Sequence, residues 1–292
     1  MSQLRSPDQS WARRVPAGPG ADATVLAEHL RSRRWLVLTG AGMSTASGIP
    51  DYRGPDGSRR VQPMTIQELR SSSAARQRYW ARSYVGWQRL HRARPNAAHR
   101  AVTELQRLGV VDRVITQNVD GLHQRAGTRQ VIELHGSLAR VVCDHCGDGL
   151  PRPELDAMMR AANPSYTVTS DEIRPDGDVA LDEVDVTRFV TPRCPGCNHD
   201  RLRPDVVFFG DSVPRERVET CTALVADCEG LVVLGSSLAV MSGLRFVRQA
   251  ARRGVPVMII TAGPTRADEL AAVRSHRPVE QVLPQLLAHV TA

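Results

Sequence analysis

The chain has 292 residues, of which 41% are hydrophobic and 24% are charged. This composition is ordinary for a globular protein and excludes a disordered, collagen-like or fibrous chain. The formal net charge is +7, and all 38 basic residues are arginine because the chain contains no lysine. A basic balance keeps nucleic-acid binding open, although the arginines are spread along the chain and form no long basic run.

The first residues are rich in proline, glycine and arginine, and we expect a flexible arm over residues 1–22. They contain no apolar segment of the kind found in secretory signals. No run of about 18 apolar residues follows, so no membrane-spanning helix is predicted. We therefore expect a cytoplasmic protein.

Short apolar runs alternate with helical patterns from residue 23 onward, where a helix over 23–33 leads into a strand at 35–39. This alternation predicts an α/β fold with a doubly wound parallel sheet that is covered by helices on both faces. Ligands bind such sheets at the carboxyl ends of the strands. The other predicted strands are 110–116, 131–134, 206–209, 231–234 and 255–261.

Glycines follow the first predicted strand, at residues 40–42. Glycine there lets the backbone approach a pyrophosphate, and a following helix would point its N–H groups at the anion; an ordinary tight turn is the alternative. Thr45 stands where the third glycine of the dehydrogenase motif belongs, and no strand ending in an acidic residue follows about 20 residues later. A standard dehydrogenase is therefore disfavoured. Arg53 could reach a phosphate, and the loop through residues 54–57 is expected to be mobile.

Polar residues also follow two later strands. Gln117, Asn118 and Asp120 come after the run at 110–116, and His135 comes after the next run. A histidine at a strand end can act as a general base near neutral pH. Taken alone, His135 is more typical of a structural histidine and Asn118 of a turn residue. Three such clusters in one sheet predict a shared cleft.

Two Cys-x-x-Cys pairs offer four thiolates from two tight turns, which suits a closed, structural zinc site. Two disulfides, a redox pair, or a Cys₃His shell with His145 or His199 are the alternatives. Cys221 and Cys228 are predicted to be buried thiols rather than ligands. The four predicted ligands are Cys143, Cys146, Cys194 and Cys197.

The pairs bracket an acidic insert at residues 163–188, which carries a net charge of −5 and leaves +12 on the rest of the chain. A charged segment of this kind is usually a solvated surface, and we expect the insert to be one.

The motifs GAGMSTASGIPDYR, TQNVDGLHQRAG, ELHGS, RPDVVFFGD and GSSL, with the two cysteine pairs, closely resemble those of the sirtuins, NAD⁺-dependent protein lysine deacylases. They run in the family's order from about residue 24 to the C-terminus. RYWARSYVGW, RPDVVFFGD and GPTRADEL are most similar to the class II branch, in its bacterial form.

The resemblance implies a sirtuin catalytic domain over residues 23–292. Its Rossmann-like large domain would comprise residues 23–140 and 201–292, with part of the small domain in 54–100 and a zinc module at 141–200. NAD⁺ and an acyl-lysine peptide would meet in the cleft between the two parts.

The resemblance also implies roles for individual residues. His135 matches the catalytic base, and Asn118 belongs to the catalytic site. An extended substrate peptide would pair near Gly210 and Val240, with its acyl-lysine passing Val207 and Phe209. The implied NAD⁺-binding residues are Gly40, Ala41, Gly42, Ser44, Ile49, Pro50, Asp51, Tyr52, Arg53, Gln117, Asn118, Val119, Asp120, Gly235, Ser236, Ser237, Thr261, Ala262, Gly263 and Val279.

In the implied reaction the acyl oxygen attacks the ribose as nicotinamide leaves. His135 then takes a proton from a ribose hydroxyl, and the products are nicotinamide, free lysine and O-acyl-ADP-ribose. One structural zinc ion would stay outside the chemistry.

The sequence departs from the family in three places. Thr261 and Val279 occupy positions often held by asparagine and cysteine. The Tyr-x-x-Arg motif of desuccinylases is absent ahead of the Pro-Asn-x-x-His stretch, which puts succinyl preference in doubt, although Arg82 and Arg89 lie nearby.

Two other functions compete with deacylation. A mono-ADP-ribosyltransferase would use the same cleft with a protein side chain as acceptor. A zinc-containing nucleic-acid-binding module would need its arginines on one face, and the acidic insert argues against it. We expect neither nucleic acid nor a membrane as a partner.

Overall fold

The computed structural model describes residues 11, 18, 20–53, 58, 62–172 and 174–292. Most of the predicted arm at 1–22 and the predicted mobile loop at 54–57 lie outside the described residues. Trp11 is 8% exposed, and its ring centroid lies 5.5 Å from the guanidinium carbon of Arg53. No helix in the described ranges has the length and apolar character needed to cross a membrane.

Strands and helices alternate along most of the described chain. The strands are β1 (Trp35–Thr39), β2 (Val111–Thr116), β3 (Val131–Glu133), β4 (Gly136–Cys143), β5 (Gly149–Pro151), β6 (Leu202–Val206), β7 (Gly230–Leu234), β8 (Val257–Ile260) and β9 (Val273–Ser275). The helices are α1 (Ala23–Arg31), α2 (Ile66–Ser71), α3 (Ser73–Arg92), α4 (Ala97–Arg107), α5 (Leu122–Arg125), α6 (Arg152–Ala162), α7 (Glu183–Arg188), α8 (Arg215–Asp227), α9 (Met241–Arg252) and α10 (Val279–Thr291).

Six of these strands form a parallel sheet in the order β3-β2-β1-β7-β8-β9. The chain builds outward from β1 to β3 on one side and crosses to β7 on the other, so the topology reverses between β1 and β7. Every residue of β1, β7 and β8 is buried, as expected of strands covered on both faces. The predicted doubly wound α/β fold is confirmed.

Alternate residues of β1 enter two separate hydrophobic cores. Trp35 and Val37 join the core formed with α1, α4 and α10, whereas Leu36 and Leu38 join the core formed with α8 and α9. Successive strand residues point to opposite faces of the sheet, so each strand contributes to both layers. This packing fixes where the strands end and therefore where the site lies.

The prediction of a sheet strand at 206–209 is wrong. The strand there is β6, which ends at Val206 and pairs antiparallel with β4 in a second sheet of order β5-β4-β6. Gly136 permits this pairing because a Cβ at this residue would lie 2.0 Å from the Asp205 carbonyl oxygen, and its φ of +81° favours glycine. The apolar residues after Val206 line the cleft instead of extending a strand.

The second sheet belongs to a module that also contains α6 and α7 and packs on α2 and α3 through its own apolar core. Ionic contacts reinforce that packing. Arg152 of α6 is fully buried and lies 4.6 Å from the Trp87 ring and 5.5 Å from the Trp80 ring of α3. Arg76 of α3 forms a 2.7 Å ion pair with Asp200.

The expectation that the whole acidic insert is a solvated surface is wrong for its central turn. The side chain of Asp178 is 6% exposed and lies 2.9 Å from the Arg82 guanidinium of α3. A Cβ at Gly86 of α3 would lie 2.1 Å from the Gly177 carbonyl oxygen, so the turn lies directly on the helix. Burial and the neighbouring Asp176 raise the pKa of the Asp178 carboxyl group to about 8, because desolvation disfavours the charged form, and the contact with Arg82 opposes that shift.

Candidate active site and metal centre

A cleft of about 1260 Å³ lies along the carboxyl edge of the parallel sheet. It opens at the reversal between β1 and β7 and is closed on its other side by residues that follow β6 and by the acidic insert. Crevices at such reversals are the usual ligand sites of open α/β sheets, because the loops on either side diverge there.

The glycine loop after β1 lies directly on the loop after β7. The Gly40 N–H donates to the Leu234 carbonyl oxygen at 3.1 Å, and the Gly42 N–H donates to the Gly235 carbonyl oxygen at 2.8 Å. A Cβ at Gly40 would lie 2.7 Å from the Ser236 Cβ. The glycines therefore allow the close backbone approach that the sequence predicted.

The helix expected directly after these glycines is replaced by two 3₁₀ turns, at Ala41–Met43 and Thr45–Ser47. Gly48 ends the second turn in the left-handed region, with φ of +82°. Short 3₁₀ turns still leave N–H groups free at their starts, so the loop can donate to an anion without a full α-helix.

Asn118 and Asp120, which follow β2, hold the glycine loop. The Asn118 amide nitrogen donates to the Gly40 carbonyl oxygen at 3.0 Å and to Ser44 Oγ at 3.1 Å. Ser44 Oγ in turn donates to Asp120 Oδ2 at 2.7 Å. Burial raises the pKa of Asp120, while the backbone N–H of Leu122 and the Ser44 hydroxyl oppose that shift. The network fixes the amide nitrogen of Asn118 against the loop.

His135 lies between β3 and β4, and both of its ring nitrogens have partners. Nδ1 is 3.0 Å from the Gln117 carbonyl oxygen, and Nε2 is 2.8 Å from Ser242 Oγ. Burial lowers the pKa of His135, the hydrogen bond to Gln117 opposes this, and the charge of Arg217 lowers the pKa further. His135 is therefore neutral near pH 7 and can accept a proton.

The structure brings all the sequence-predicted cofactor and catalytic residues to this one cleft, from Gly40 after β1 to Val279 at the start of α10. The positions predicted for the substrate also line it: Val207, Phe209, Gly210 and Val240. Which ligand atom each residue contacts remains a prediction.

Of the lining residues that the sequence analysis did not name, Ser242 and Asp176 bear most directly on the site. Ser242 touches His135 and follows the GSSL motif by four residues, so proximity to that motif was the available signal. Asp176 reaches the cleft from the acidic insert, where nothing local distinguished it from its exposed neighbours. Burial raises the pKa of its carboxyl group.

The two arginines considered as acyl clamps do not line the cleft. The Arg82 Nε donates to the Val179 carbonyl oxygen at 2.7 Å, beside the ion pair of this arginine with Asp178. The Arg89 Nη1 donates to the Asp171 carbonyl oxygen at 2.8 Å. Both guanidinium groups therefore hold the acidic insert on α3.

The metal centre lies at the far end of the module, where two turns mirror each other. The Gly147 N–H donates to the Cys143 carbonyl oxygen at 2.9 Å, and the Asn198 N–H donates to the Cys194 carbonyl oxygen at 2.8 Å. Both donors have left-handed backbones, with φ of +82° and +59°. Each turn thus presents its two cysteines on one side.

The four thiols fit a tetrahedral zinc ion. Their sulfurs all lie within 4.8 Å of one another, and the Cys143–Cys197 and Cys146–Cys194 separations are both 3.6 Å. Sulfurs bound at about 2.3 Å to a tetrahedral ion stand about 3.8 Å apart. The cysteines form no disulfide, so the disulfide alternative is excluded in this structure.

The remaining candidates are not part of that set. The His145 and His199 rings stack on each other with their centroids 3.7 Å apart, and the group of four possible ligands contains neither histidine. Cys221 of α8 is fully buried, as predicted, whereas Cys228 is only half-buried.

The comparisons with known proteins agree with this geometry. The model of the Sir2 family matches residues 40–242. The chain is 51% identical, over 95% of its length and 93% of the relative, to NAD-dependent protein deacetylase 1 of Streptomyces coelicolor. It is 47% identical, over 88% of its length and 94% of the relative, to an NAD-dependent protein deacetylase of Bordetella bronchiseptica.

Solved structures are also similar. A structure of Sir2 with a p53 peptide and NAD⁺ superposes with a TM-score of 0.75 at 28% identity, covering 92% of this chain and 98% of that one. A structure of Sir2Af2 bound to a myristoylated histone peptide superposes with a TM-score of 0.66 at 27% identity, covering 92% and 96%.

Proposed function

Since the chain belongs to the Sir2 family, we propose that its cleft catalyses NAD⁺-dependent removal of an acyl group from protein lysine, with His135 as the general base. The observation that carries the proposal is a buried histidine, fixed through Nδ1, in the cleft where the glycine loop lies. Because the chain has no lysine, it must act on lysines of other proteins.

His135 supplies the proton acceptor of the reaction. A carbonyl oxygen only accepts, so the contact with Gln117 places the ring proton on Nδ1 and leaves the Nε2 lone pair available. Once the acyl oxygen has displaced nicotinamide from the ribose, Nε2 takes the proton of a ribose hydroxyl. The electron pair stays on the ribose oxygen, which attacks the acyl carbon. The bond between the acyl carbon and the lysine nitrogen then breaks, the nitrogen leaves with a proton as the free amine, and attack by water leaves the acyl group on the ribose as O-acyl-ADP-ribose.

Asn118 and the glycine loop position the reactants. The Asn118 amide nitrogen is held by Gly40 and Ser44, so its oxygen is turned away from the loop and can accept a hydrogen bond in the cleft. Backbone N–H groups of the loop would receive the pyrophosphate. The four cysteines would hold a zinc ion, which would maintain the module that forms the opposite wall.

We also propose that acyl groups carrying a carboxylate are disfavoured. Arg82 and Arg89 are engaged by the acidic insert, and Asp176 lines the cleft. A carboxyl group there would repel an acidic acyl chain when ionised. The four thiols held for a metal further favour a reducing, cytoplasmic compartment.

Two alternatives receive less support. Two arginines beside the metal module are paired with Asp144: Arg70 of α2 at 2.8 Å and Arg203 of β6 at 2.7 Å. This pairing removes cations that a nucleic-acid-binding face would need. ADP-ribosyl transfer would use the same cleft, and transfer of labelled ADP-ribose to protein distinguishes it from deacylation.

The test incubates the protein with NAD⁺ and a peptide that carries acetyl-lysine, succinyl-lysine or lipoyl-lysine, and measures the nicotinamide that is released. We expect release only when NAD⁺ and an acylated peptide are both present, with succinyl-lysine the poorest substrate. His135→Ala should lower turnover by about 100-fold or more, whereas His91→Ala, an exposed histidine of α3, should leave it unchanged. Full turnover by His135→Ala, or faster transfer of labelled ADP-ribose to protein, would refute the proposal.

A further inference from the structure

The hydroxyl group of Ser242 lies 2.8 Å from Nε2 of His135, the atom that must accept the proton. The two residues are 107 positions apart in the chain. Because the Gln117 carbonyl fixes the proton on Nδ1, Nε2 has only a lone pair, and the serine hydroxyl must be the donor. Ser242 therefore donates a hydrogen bond to the lone pair of the base.

The first turn of α9 holds Ser242 in this place. Gly243, the next residue, has no side chain, and a Cβ there would lie 2.7 Å from Gln117 Oε1. The Gln117 amide nitrogen is engaged by Ser236 Oγ at 2.8 Å. The start of α9 thus lies directly against Gln117, the residue whose carbonyl group orients His135. The packing of α9 on Gln117 therefore sets both hydrogen bonds of the imidazole ring.

Resting on the function proposed above, we propose that Ser242 is a positioning residue for His135. Before the reaction, the Ser242 hydroxyl donates to the lone pair of Nε2 and keeps this atom facing the cleft. A ribose hydroxyl then takes that place. Once Nε2 has accepted the ribose proton, the Ser242 oxygen accepts a hydrogen bond from the new N–H group.

A serine hydroxyl suits both stages because it has one donor and two acceptor lone pairs. Before proton transfer it donates to the neutral ring. After transfer the O–H bond of the ribose is broken, the new N–H bond lies on Nε2, and the ring carries a positive charge. The serine oxygen can then accept from that N–H, and hydrogen bonds to charged groups are stronger than neutral ones.

This role predicts different effects on the two halves of the reaction. Displacement of nicotinamide precedes proton transfer to His135, so it should not depend on Ser242. Exchange of labelled nicotinamide into NAD⁺, in the presence of acyl peptide, measures the first half, and release of free lysine measures the second. A residue that only packed the helix would alter both halves together.

The experiment compares Ser242→Thr with Ser242→Val, which have nearly the same shape and differ in the hydroxyl group. We expect Ser242→Thr to stay within about threefold of the parent kcat. Ser242→Val and Ser242→Ala should lower kcat for lysine release by about 10- to 100-fold, with nicotinamide exchange and the KM for NAD⁺ changed less than about threefold. Thr222→Ala, which removes a hydroxyl bonded within α8, is the matched control.

The pH profile gives a second readout. In this role Ser242 stabilises the charged ring more than the neutral ring, so its loss should lower the pKa of His135 and move the acidic limb of kcat/KM to lower pH in Ser242→Ala. The charged groups that face the ring, Arg217 of α8 and its partner Asp205 of β6 at 3.6 Å, are unchanged in this variant. The shift should therefore report on Ser242.

The inference is overturned if Ser242→Val keeps the parent kcat, if Ser242→Thr loses as much as Ser242→Val, or if exchange falls in parallel with lysine release. A parent protein with neither exchange nor lysine release would instead refute the proposed function.

Discussion

The sheet edge and the metal module form opposite walls of one cleft but are built differently. At the sheet edge, short polar motifs follow apolar strands, and the strands are anchored in two hydrophobic cores. The metal module has its own apolar core, yet thiols and ion pairs such as Arg76–Asp200 hold its parts together. The apolar layers on both faces of the parallel sheet fix the positions of its strands, whereas the metal module depends on specific polar contacts.

The difference also appears in the consequences of burial. At the sheet edge burial lowers the pKa of His99 and of His123, and each ring has one nitrogen in a hydrogen bond. In the module, buried charged groups contact other elements: Asp178 pairs with Arg82 of α3, and Arg152 packs on the Trp87 ring of α3. Removing one member of a buried pair costs more than removing the whole pair, because a desolvated charge remains. The module should therefore be more sensitive to single polar substitutions and to loss of its metal.

Metal removal should have the largest effect. Chelation is expected to unfold the module and abolish turnover, since structural zinc contributes about 10 kcal/mol or more to small domains. Cys143→Ser should lose bound zinc, whereas Cys228→Ser should keep one equivalent. Zinc content, far-ultraviolet circular dichroism and nicotinamide release measure this. A metal-free protein with full turnover would contradict the assignment.

Arg82→Ala tests the tether of the acidic insert. It leaves the buried Asp178 without its main cation, and we expect a loss of about 3 kcal/mol in the free energy of unfolding. Arg78→Ala on the same helix removes an exposed pair with Glu183 and should cost about 0.5 kcal/mol or less. Urea unfolding measures both. Equal losses in the two variants would show that burial of the pair does not matter.

Acid should weaken the sheet edge through two buried histidines. Burial lowers the pKa of His99 to about 4 and that of His123 to about 3, below the unfolded value of about 6.5. The unfolded state then binds more protons, so the stability present above pH 6.5 is lost as the pH falls.

Each neutral histidine should cost about 2 kcal/mol of the free energy of unfolding between pH 6.5 and pH 5. His123→Gln should remove about half of this dependence. Urea unfolding at the two pH values measures it, and an unchanged slope in the variant would contradict the role of this histidine.

Much of the site could be predicted from the sequence because its chemistry is carried by contiguous motifs. The strand at Trp35–Thr39 matches its predicted bounds, and the four cysteines converge as their spacing indicated. The run at 206–209 was misassigned because an apolar segment can be a buried strand or a cleft wall, and only its partners distinguish the two.

The sequence alone determined the ends of β1, β2 and β7, the four thiols and the histidine beside glycine, because each depends on neighbours a few residues apart. Only the tertiary structure decided that Ser242 reaches His135 and that Asp178 is buried against Arg82. These pairs join residues about a hundred positions apart, and no local pattern records such contacts. Both contacts form when elements distant in the chain pack on one another. That packing decides that the Nε2 lone pair of His135 accepts from Ser242 and that the Asp178 carboxyl group lies against Arg82.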